Sequence, residues 1–440
     1  MQLIHFTRRQ TIVLSTAIAI FLLTVLFAEG YILRHTDHVL TLPGDHSFLN
    51  LAVAKNLAFN QVWGISKDEF AAKSSSLLFP ALLAIPFFIF GAHIWLVLVI
   101  NLLMAILLLI LLQQWLVRLT IPPSYQLLIL LAVTILTPLS LIVVAGREGI
   151  LQLLLGLLFL TQLYKNKDGQ GLSRSIYLYG ALLVATQYTG ILVIAPACWL
   201  LLRARRVREA GQLLLSSLLP VLGFGVLSLT KHNPFIPKTL FMPPLDLLNF
   251  GWLIGLLIAI VCPLVVGQDN PQGSGPALRP GVKLIGLIIV GLILTGDILT
   301  LQETGRISID TYRQQWIAGR FARRYYNKTP LAVGDIGVIS YLTDGRLLDL
   351  SATSPRQQPD TLLRLIQKKN IRIAFFSNPY DKELPAGWNR VASWQIPAAH
   401  RGADRDLIFC AADTFEASRL RQNLVEYQFN LPQTVAVKYY

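Results

Sequence analysis

Long apolar runs alternate with short polar segments over the first three hundred residues, and the pattern then changes. From Thr11 to Thr300 the apolar runs follow one another closely, and runs such as Thr11–Leu33 and Ile94–Val117 reach the roughly 20 apolar residues that a membrane-crossing helix needs. After Leu301 apolar and charged residues are mixed. The pattern predicts an α-helical polytopic membrane domain over residues 1–300 and a separate soluble domain over residues 301–440.

One apolar segment does not fit a single crossing. Ile176–Leu202 has basic residues on both sides, with Arg174 before it and Arg203 after it. Short basic loops tend to stay on the cytoplasmic side, whereas one helix would place its two flanks on opposite sides. The segment is therefore predicted to be two short helices folded into a V, with its tip at Gln187-Tyr188.

The C-terminal domain shows strand and helix patterns in alternation. Leu331–Gly334 and Leu347–Leu350 read as short strands on either side of a helix over Ile336–Leu342. Further along, the sequence favours a helix over Thr361–Lys369 and strands over two other segments, Ile371–Phe376 and Leu407–Cys410. Such alternation predicts a small α/β domain. Asp335 and Asp349 are interpreted as strand-end or capping residues.

Composition supports the membrane assignment. Charged residues make up only 14% of the chain and hydrophobic residues 54%, whereas soluble domains carry about a quarter charged residues. The net charge of +14 could indicate nucleic acid, but many cations lie in short loops between apolar runs, where they set topology. No nucleic-acid partner is therefore expected. The three cysteines have no metal-ligand spacing.

The distribution of basic loops gives an orientation. Arg8 and Arg9 place the N-terminus in the cytoplasm. Counting the membrane crossings from there places the C-terminal domain outside. Leu77–Phe90 must dip into the outer leaflet without crossing for this count to hold. The count uses five later spans: Tyr125–Val144, Ile150–Leu163, Leu213–Leu229, Leu247–Val266 and Leu284–Leu299, with the Gly/Pro-rich loop Gly267–Lys283 inside.

This orientation collects four polar clusters on the outer face. They contain Asp45-His46 before a predicted interfacial helix over Phe48–Leu57, then Arg147-Glu148, then Gln187-Tyr188, and finally His232 to Lys238. Each cluster also has a simpler explanation. Asp45 and His46 could be solvated loop residues, and Arg147 and Glu148 could form a turn between helices. Gln187 could satisfy open backbone, and Lys238 could snorkel to head groups. Together they suit group transfer from an anionic lipid, because a carboxylate can accept a proton while cations hold a phosphate.

These clusters resemble the motifs of GT-C superfamily glycosyltransferases, in particular the bacterial arabinofuranosyl- and mannosyltransferase-like branch. That family has paired aspartates in the first outer loop, leading into a helix that ends in Arg-Asn-Leu; here Asp45-His46 leads to Lys55-Asn56-Leu57. The other matches follow in the family's order, and they are Gly146–Gly149, Thr186–Gly190, Pro234–Thr239 and the segment Ala332–Leu350. Three positions depart from the family pattern: His46 replaces the second aspartate, Gln187 a basic residue and Arg147 a methionine.

The resemblance implies a membrane glycosyltransferase that moves a sugar from a polyprenyl-phosphate carrier to an extracytoplasmic glycan, lipid or protein acceptor. In such an enzyme Asp45 would activate or orient the acceptor hydroxyl, and Glu148 would support the site. The remaining assignments are donor-phosphate binding by Arg147, His232 and Lys238 and supporting roles for His46, Gln187 and Tyr188. The chemistry also leaves room for a divalent metal, although no residues are assigned as its ligands.

Two other functions stay open at this point. A transporter or flippase of a lipid-linked intermediate would also use broken helices, but such proteins commonly contain internal repeats and none is apparent here. A non-catalytic GT-C-like scaffold would explain the departures at His46, Gln187 and Arg147.

The orientation is directly testable by cysteine accessibility. A single cysteine at Gln170 or Gly211, in loops expected inside, should react with a membrane-impermeant maleimide only after the membrane is opened. A cysteine at His46 should react in intact cells. If a cysteine at Gln170 or Gly211 is labelled from the outside, the predicted number of membrane crossings is wrong. The four polar clusters would then not share the outer face.

Overall fold

In the computed structural model most of the chain is helical, and a small sheet lies near the C-terminus. The structure describes residues 6–166, 171–235, 253, 256–257, 304–350, 359–377, 387–397 and 405–440. Lys238, the predicted spans Leu247–Val266 and Leu284–Leu299, and the loop Gly267–Lys283 lie outside these residues, except for helical positions 253 and 256–257.

The chain divides into two compact units. We call them the helical unit, which comprises Met1–Tyr31, Ser75–Ala81 and Trp95–Thr304, and the sheet unit, which comprises Ile32–Ser74, Leu82–Ile94 and Gly305–Tyr440. The first outer loop of the sequence analysis is thus part of the same unit as the C-terminal residues. Each unit is described by itself.

Ten helices occupy the described residues up to 235: α1 (Arg8–His35), α2 (Asp45–Asn60), α3 (Leu78–Phe90), α4 (Ile94–Arg118), α5 (Pro123–Leu136), α6 (Leu139–Val144), α7 (Gly149–Lys165), α8 (Arg174–Thr186), α9 (Ile191–Arg203) and α10 (Val207–Thr230). Three of them, α1, α4 and α10, are long and apolar enough to cross a membrane. With 13 residues, α3 is only about 20 Å long, which is less than the hydrocarbon thickness of a bilayer.

One predicted span is interrupted. Tyr125–Val144 was expected to be a single helix, but α5 ends at Leu136 and α6 begins at Leu139. Pro138 explains the break, because proline has no backbone N–H to donate and its ring clashes with the preceding helical turn.

The predicted hairpin over Ile176–Leu202 is confirmed. α8 ends at Thr186, a 3₁₀ turn covers Tyr188–Gly190, and α9 starts at Ile191. A Cβ atom placed on Gly180 would lie 3.4 Å from the side chain of Ile194. In one straight helix these two residues would be about 21 Å apart, so the two helices fold back on each other.

The sheet unit contains a six-stranded sheet in the order β2-β1-β3-β5-β4-β6. Its strands are β1 (Leu331–Val333), β2 (Leu347–Asp349), β3 (Ile373–Ser377), β4 (Asn389–Ile396), β5 (Arg405–Ala411) and β6 (Ala436–Tyr439). β1, β2 and β3 are parallel, whereas β3, β5, β4 and β6 pair antiparallel. The predicted small α/β domain is present.

Four helices accompany this sheet: α11 (Ile317–Tyr326), α12 (Ile336–Leu342), α13 (Pro359–Lys368) and α14 (Thr414–Tyr427). Residues 304–311 are also helical, and a π-helical turn at Tyr312–Trp316 joins them to α11. The bounds of α12 agree with the prediction. β4, β6, α11 and α14 were not predicted.

The helix predicted over Phe48–Leu57 exists, as α2, but its surroundings differ from the prediction. An interfacial helix would bury one face only, whereas α2 buries nine residues between Ser47 and Asn56. Leu49 and Val53 belong to the main hydrophobic core of the sheet unit. α2 is therefore a largely buried helix of the sheet unit, and three of its buried side chains, Ser47, Asn50 and Asn56, are polar.

Phe321 of α11 lies at the centre of that core. Six aromatic rings have centroids within 5.2 to 5.8 Å of its ring, including Phe375 of β3, Trp394 of β4 and Phe409 of β5. The core therefore joins both parts of the sheet to α11.

Replacing this ring should destabilise the sheet unit selectively. Phe321→Ala removes a fully buried aromatic side chain, which costs about 3–5 kcal/mol, so thermal unfolding of the purified full-length protein should begin at a clearly lower temperature. Phe429→Ala is the matched control, because that ring is 93% exposed. Equal unfolding temperatures for the two variants would contradict the central role of Phe321.

Candidate functional site

Asp45 is the first residue of α2, and a turn at Gly44 positions it. Gly44 just before it has φ 78°, a backbone conformation that glycine adopts without steric cost. The Gly44 amide donates to the Thr311 hydroxyl oxygen at 2.9 Å. Both ends of this contact lie in the sheet unit, so the start of α2 is held against the helical turn that contains Thr311.

The Asp45 side chain reaches the start of α12. Its Oδ1 accepts a hydrogen bond from the Gly337 amide at 2.6 Å. A Cβ atom on Gly337 would lie 2.3 Å from the Asp45 carbonyl oxygen and 2.6 Å from Oδ1. Only glycine allows the two backbones to approach this closely.

This contact decides between the two interpretations of Asp335, a residue at a strand end or a helix cap. An aspartate just before a helix usually caps it by accepting from the second or third amide, but Asp335 makes no such side-chain bond to α12. Asp45, from a distant part of the sequence, accepts from Gly337 in its place. Asp335 is therefore not the cap of α12.

Asp45, Asp335 and Asp349 interact electrostatically. Asp335 follows β1 and Asp349 ends β2, and in open parallel sheets ligands bind beyond these carboxyl ends. Asp349 accepts an ion-paired hydrogen bond from Lys73 Nζ at 2.7 Å. The sequence analysis did not propose Asp335 and Asp349 as site candidates. The available signal was their position at or near the ends of two predicted strands.

The environment raises the pKa of Asp45 to about 7. Burial of the carboxyl group is the largest cause, and the negative charges of Asp335 and Asp349 act in the same direction. Hydrogen bonds from the amides of Gly337 and Val338 oppose them. A carboxyl group with a pKa near neutrality can both accept and release a proton, as general acid–base catalysis requires.

The sheet unit also contains His46, which is exposed on the first turn of α2. Among the described residues, no three His, Cys, Asp or Glu side chains lie close enough to hold a metal ion. The divalent metal stays a prediction.

The remaining predicted site residues that the structure describes belong to the helical unit. Glu148, just before α7, is 2% exposed, and its Oε1 accepts from the Ser75 hydroxyl at 2.8 Å. The carbonyl of Arg147 accepts from Asn101 Nδ2 at 3.0 Å. The bond from Asn101 fixes the backbone of the α6–α7 turn. The bond from Ser75 holds the buried carboxylate of Glu148.

Gln187 and Tyr188 form the tip of the α8–α9 hairpin, and both are buried. Gln187 was expected, in the simpler interpretation, to satisfy the open backbone of the break. With its amide oriented to suit both partners, Gln152 of α7 does this: it donates to the Leu183 carbonyl at 3.0 Å and accepts from the Gly190 amide at 3.3 Å. Gln187 Oε1 has no hydrogen-bond partner among the described residues.

His232 lies in an exposed turn after α10, with φ 57°. The described residues thus place Asp45 and His46 in the sheet unit and Arg147, Glu148, Gln187, Tyr188 and His232 in the helical unit.

Residues 305–415 match the family model of a domain of unknown function (DUF8728). The match contains Asp335, Gly337 and Asp349 but not Asp45. No curated protein and no solved structure matches the chain significantly.

Two substitutions separate the capping role of Asp45 from its charge. Asparagine caps helices about as well as aspartate, whereas alanine costs about 0.5–2 kcal/mol. Thermal unfolding of the full-length protein at about pH 4 should therefore show a loss of stability for Asp45→Ala and little loss for Asp45→Asn, because a carboxyl group with a pKa of about 7 is neutral there, as the asparagine amide is.

The pH dependence of the same variants tests the raised pKa. A carboxyl group whose pKa is higher in the folded state contributes stability below its ordinary pKa of 3.8, and this contribution is lost as pH rises through about 7. The unfolding temperature of the wild type should fall relative to Asp45→Asn between about pH 4 and 7 and then run parallel to it. A constant difference across this interval would show that the pKa is not raised.

Proposed function

We propose that this chain is an integral membrane protein that transfers a sugar from a polyprenyl-phosphate carrier to an extracytoplasmic acceptor. Three helices of sufficient length and apolarity, α1, α4 and α10, support the membrane assignment. The motif order from Gly44 to Leu350 supports the GT-C-like assignment. The observation that carries the catalytic assignment is the Asp45 carboxyl group at the start of α12, beside the carboxyl ends of β1 and β2.

The reaction requires one proton transfer and one exchange of bonds. The acceptor hydroxyl oxygen forms a bond to the anomeric carbon of the sugar while the bond from that carbon to the phosphate oxygen breaks. Asp45 takes the hydroxyl proton, and the carrier leaves as polyprenyl phosphate. A carboxylate with a pKa near 7 is a stronger base than an ordinary aspartate, which suits this step.

The leaving phosphate gains negative charge as the bond breaks, and nearby cations stabilise that charge. The sequence assigns this role to Arg147, His232 and Lys238. Glu148, held by Ser75, is assigned to support of the site, together with His46, Gln187 and Tyr188.

The competing proposal is a non-catalytic membrane scaffold. The observation in its favour is the same hydrogen bond, because Asp45 also serves as the cap of α12. The two proposals differ in what the charge of Asp45 does: a scaffold needs the capping oxygen only, whereas the enzyme needs a carboxylate that accepts a proton.

The deciding measurement uses cells from which the gene has been removed. Such cells should accumulate a lipid-linked sugar detectable by lipid mass spectrometry, and the wild-type gene should remove it. Asp45→Asn should fail to do so at equal expression, because loss of a general base lowers the rate by about 10²–10⁴.

Asp68→Asn is the matched control. Asp68 lies in the same unit and pairs with Arg346 in an exposed contact of 3.4 Å, so its loss should leave activity unchanged. Full activity of Asp45→Asn would favour the scaffold. Absence of any accumulated lipid-linked sugar would remove the glycosyltransferase proposal itself.

A further inference from the structure

A pocket of about 560 Å³ in the sheet unit is lined by cations from a single helix. Arg320, Arg323 and Arg324 of α11 all border it. Residues three and four positions apart share one face of a helix, so the three guanidinium groups point to the same side. The volume lies within the usual range of small-molecule sites.

These charges are only partly balanced within the protein. Arg324 pairs with Glu426 at 2.9 Å. Among the described residues Arg320 and Arg323 form no ion pair within 4 Å, and no aspartate or glutamate lines the pocket. Arg323 interacts electrostatically with Asp344, which lies outside the lining. Like charges on one helix face repel each other, so an anion that contacts them gains a favourable interaction.

The rest of the lining is largely apolar and aromatic. It includes Val39, Trp316 and Tyr427. Trp316 packs against Phe48 of α2 with ring centroids 5.9 Å apart, so the indole is held in place by the core. A ligand that fits both parts of the lining carries an anionic group and an apolar part.

The side of the pocket that carries Val39 is held by an unusual backbone. Asp37 and His38, the two residues before Val39, have φ 49° and 59°. The Tyr312 hydroxyl donates to Asp37 Oδ2 at 2.8 Å. Tyr312 and Trp316 are the two ends of the π-helical turn, and such turns occur frequently at functional sites.

Chain connectivity places this pocket near the end of a candidate membrane span. Val39 follows the last residue of α1, His35, by four positions, which is at most about 14 Å of extended chain. A ligand anchored at a bilayer surface beside the end of α1 is within reach of the pocket.

We infer that this pocket binds the phosphate group of an anionic phospholipid head group. Guanidinium groups bind phosphate oxygens through paired hydrogen bonds, which assigns the phosphate to Arg320 and Arg323. The apolar lining receives the part of the lipid next to the phosphate. This inference does not depend on sugar transfer.

The test uses the full-length protein, delipidated in neutral detergent and examined by native mass spectrometry. The probes are phosphatidylglycerol, phosphatidylcholine and inorganic phosphate. The wild type should bind phosphatidylglycerol more tightly than phosphatidylcholine. Arg320→Gln/Arg323→Gln should weaken that binding by about tenfold or more, because two hydrogen bonds to a charged group are lost.

The matched control is Arg372→Gln/Arg419→Gln. It removes two charges from exposed positions of the same unit outside the pocket lining, and binding should change less than about twofold, since distant exposed charges are screened. The double variant Arg320→Lys/Arg323→Lys keeps both positive charges. Its affinity for phosphatidylglycerol should lie between those of the wild type and Arg320→Gln/Arg323→Gln, because lysine lacks the planar fork of arginine.

Competition with inorganic phosphate distinguishes a lipid head group from a soluble phosphate compound as the ligand. If millimolar phosphate fails to displace the lipid, the head group is the ligand; if it displaces the lipid fully, a soluble phosphate compound is the ligand and the lipid assignment is wrong. Equal weakening by the two glutamine double variants, or equal binding of the two lipids, would overturn the site altogether.

Discussion

The carboxylate of Asp45 and the backbone amide of Gly337 meet at 2.6 Å across 292 residues of sequence. This contact joins the start of α2 to the start of α12, and the glycine is what lets the two backbones come together. Leu49 and Val53 of α2 then pack in the same core as the sheet and α11. The candidate site has its geometry because this junction brings Asp45 to the carboxyl ends of β1 and β2.

Two opposing effects act on that carboxyl group. Amides at the start of a helix stabilise a negative charge, whereas burial and the nearby charges of Asp335 and Asp349 disfavour it. The second set prevails and raises the pKa to about 7. An isolated cap would show the reverse, since hydrogen bonds to a carboxylate alone lower its pKa.

Local pattern was enough to predict several elements. The bounds of α12 follow from its apolar periodicity, and the α8–α9 hairpin follows from the basic residues at its two ends. α14 went unpredicted although Asp413 accepts from the Glu416 amide at 2.8 Å, a capping arrangement that an Asp-x-x-Glu pattern signals. The break at Pro138 was equally readable from the sequence.

Long-range contacts account for what remained beyond prediction. Nothing near Asp335 in the sequence indicates that a side chain from α2 takes its capping position, and nothing near Gln187 indicates that Gln152 bridges the helix break. Asp45 was proposed through a family resemblance, whereas the tertiary fold brings Asp349 close enough to interact with it and pairs Asp349 with Lys73. Likewise, the three arginines of α11 are visible in the sequence, but the aromatic lining beside them is not.

The composition of the sheet unit has a consequence for biosynthesis. Residues 32–74 leave the ribosome long before residues 305–440 do. At about 5–20 residues per second, the 292 residues that separate Asp45 from Gly337 take roughly 15–60 s to translate. During that interval Leu49 and Val53 of α2 lack the C-terminal residues with which they share a core. The sheet unit therefore completes its folding late in synthesis or after it, because the core that Leu49 and Val53 join can close only once residues 305–440 have been made.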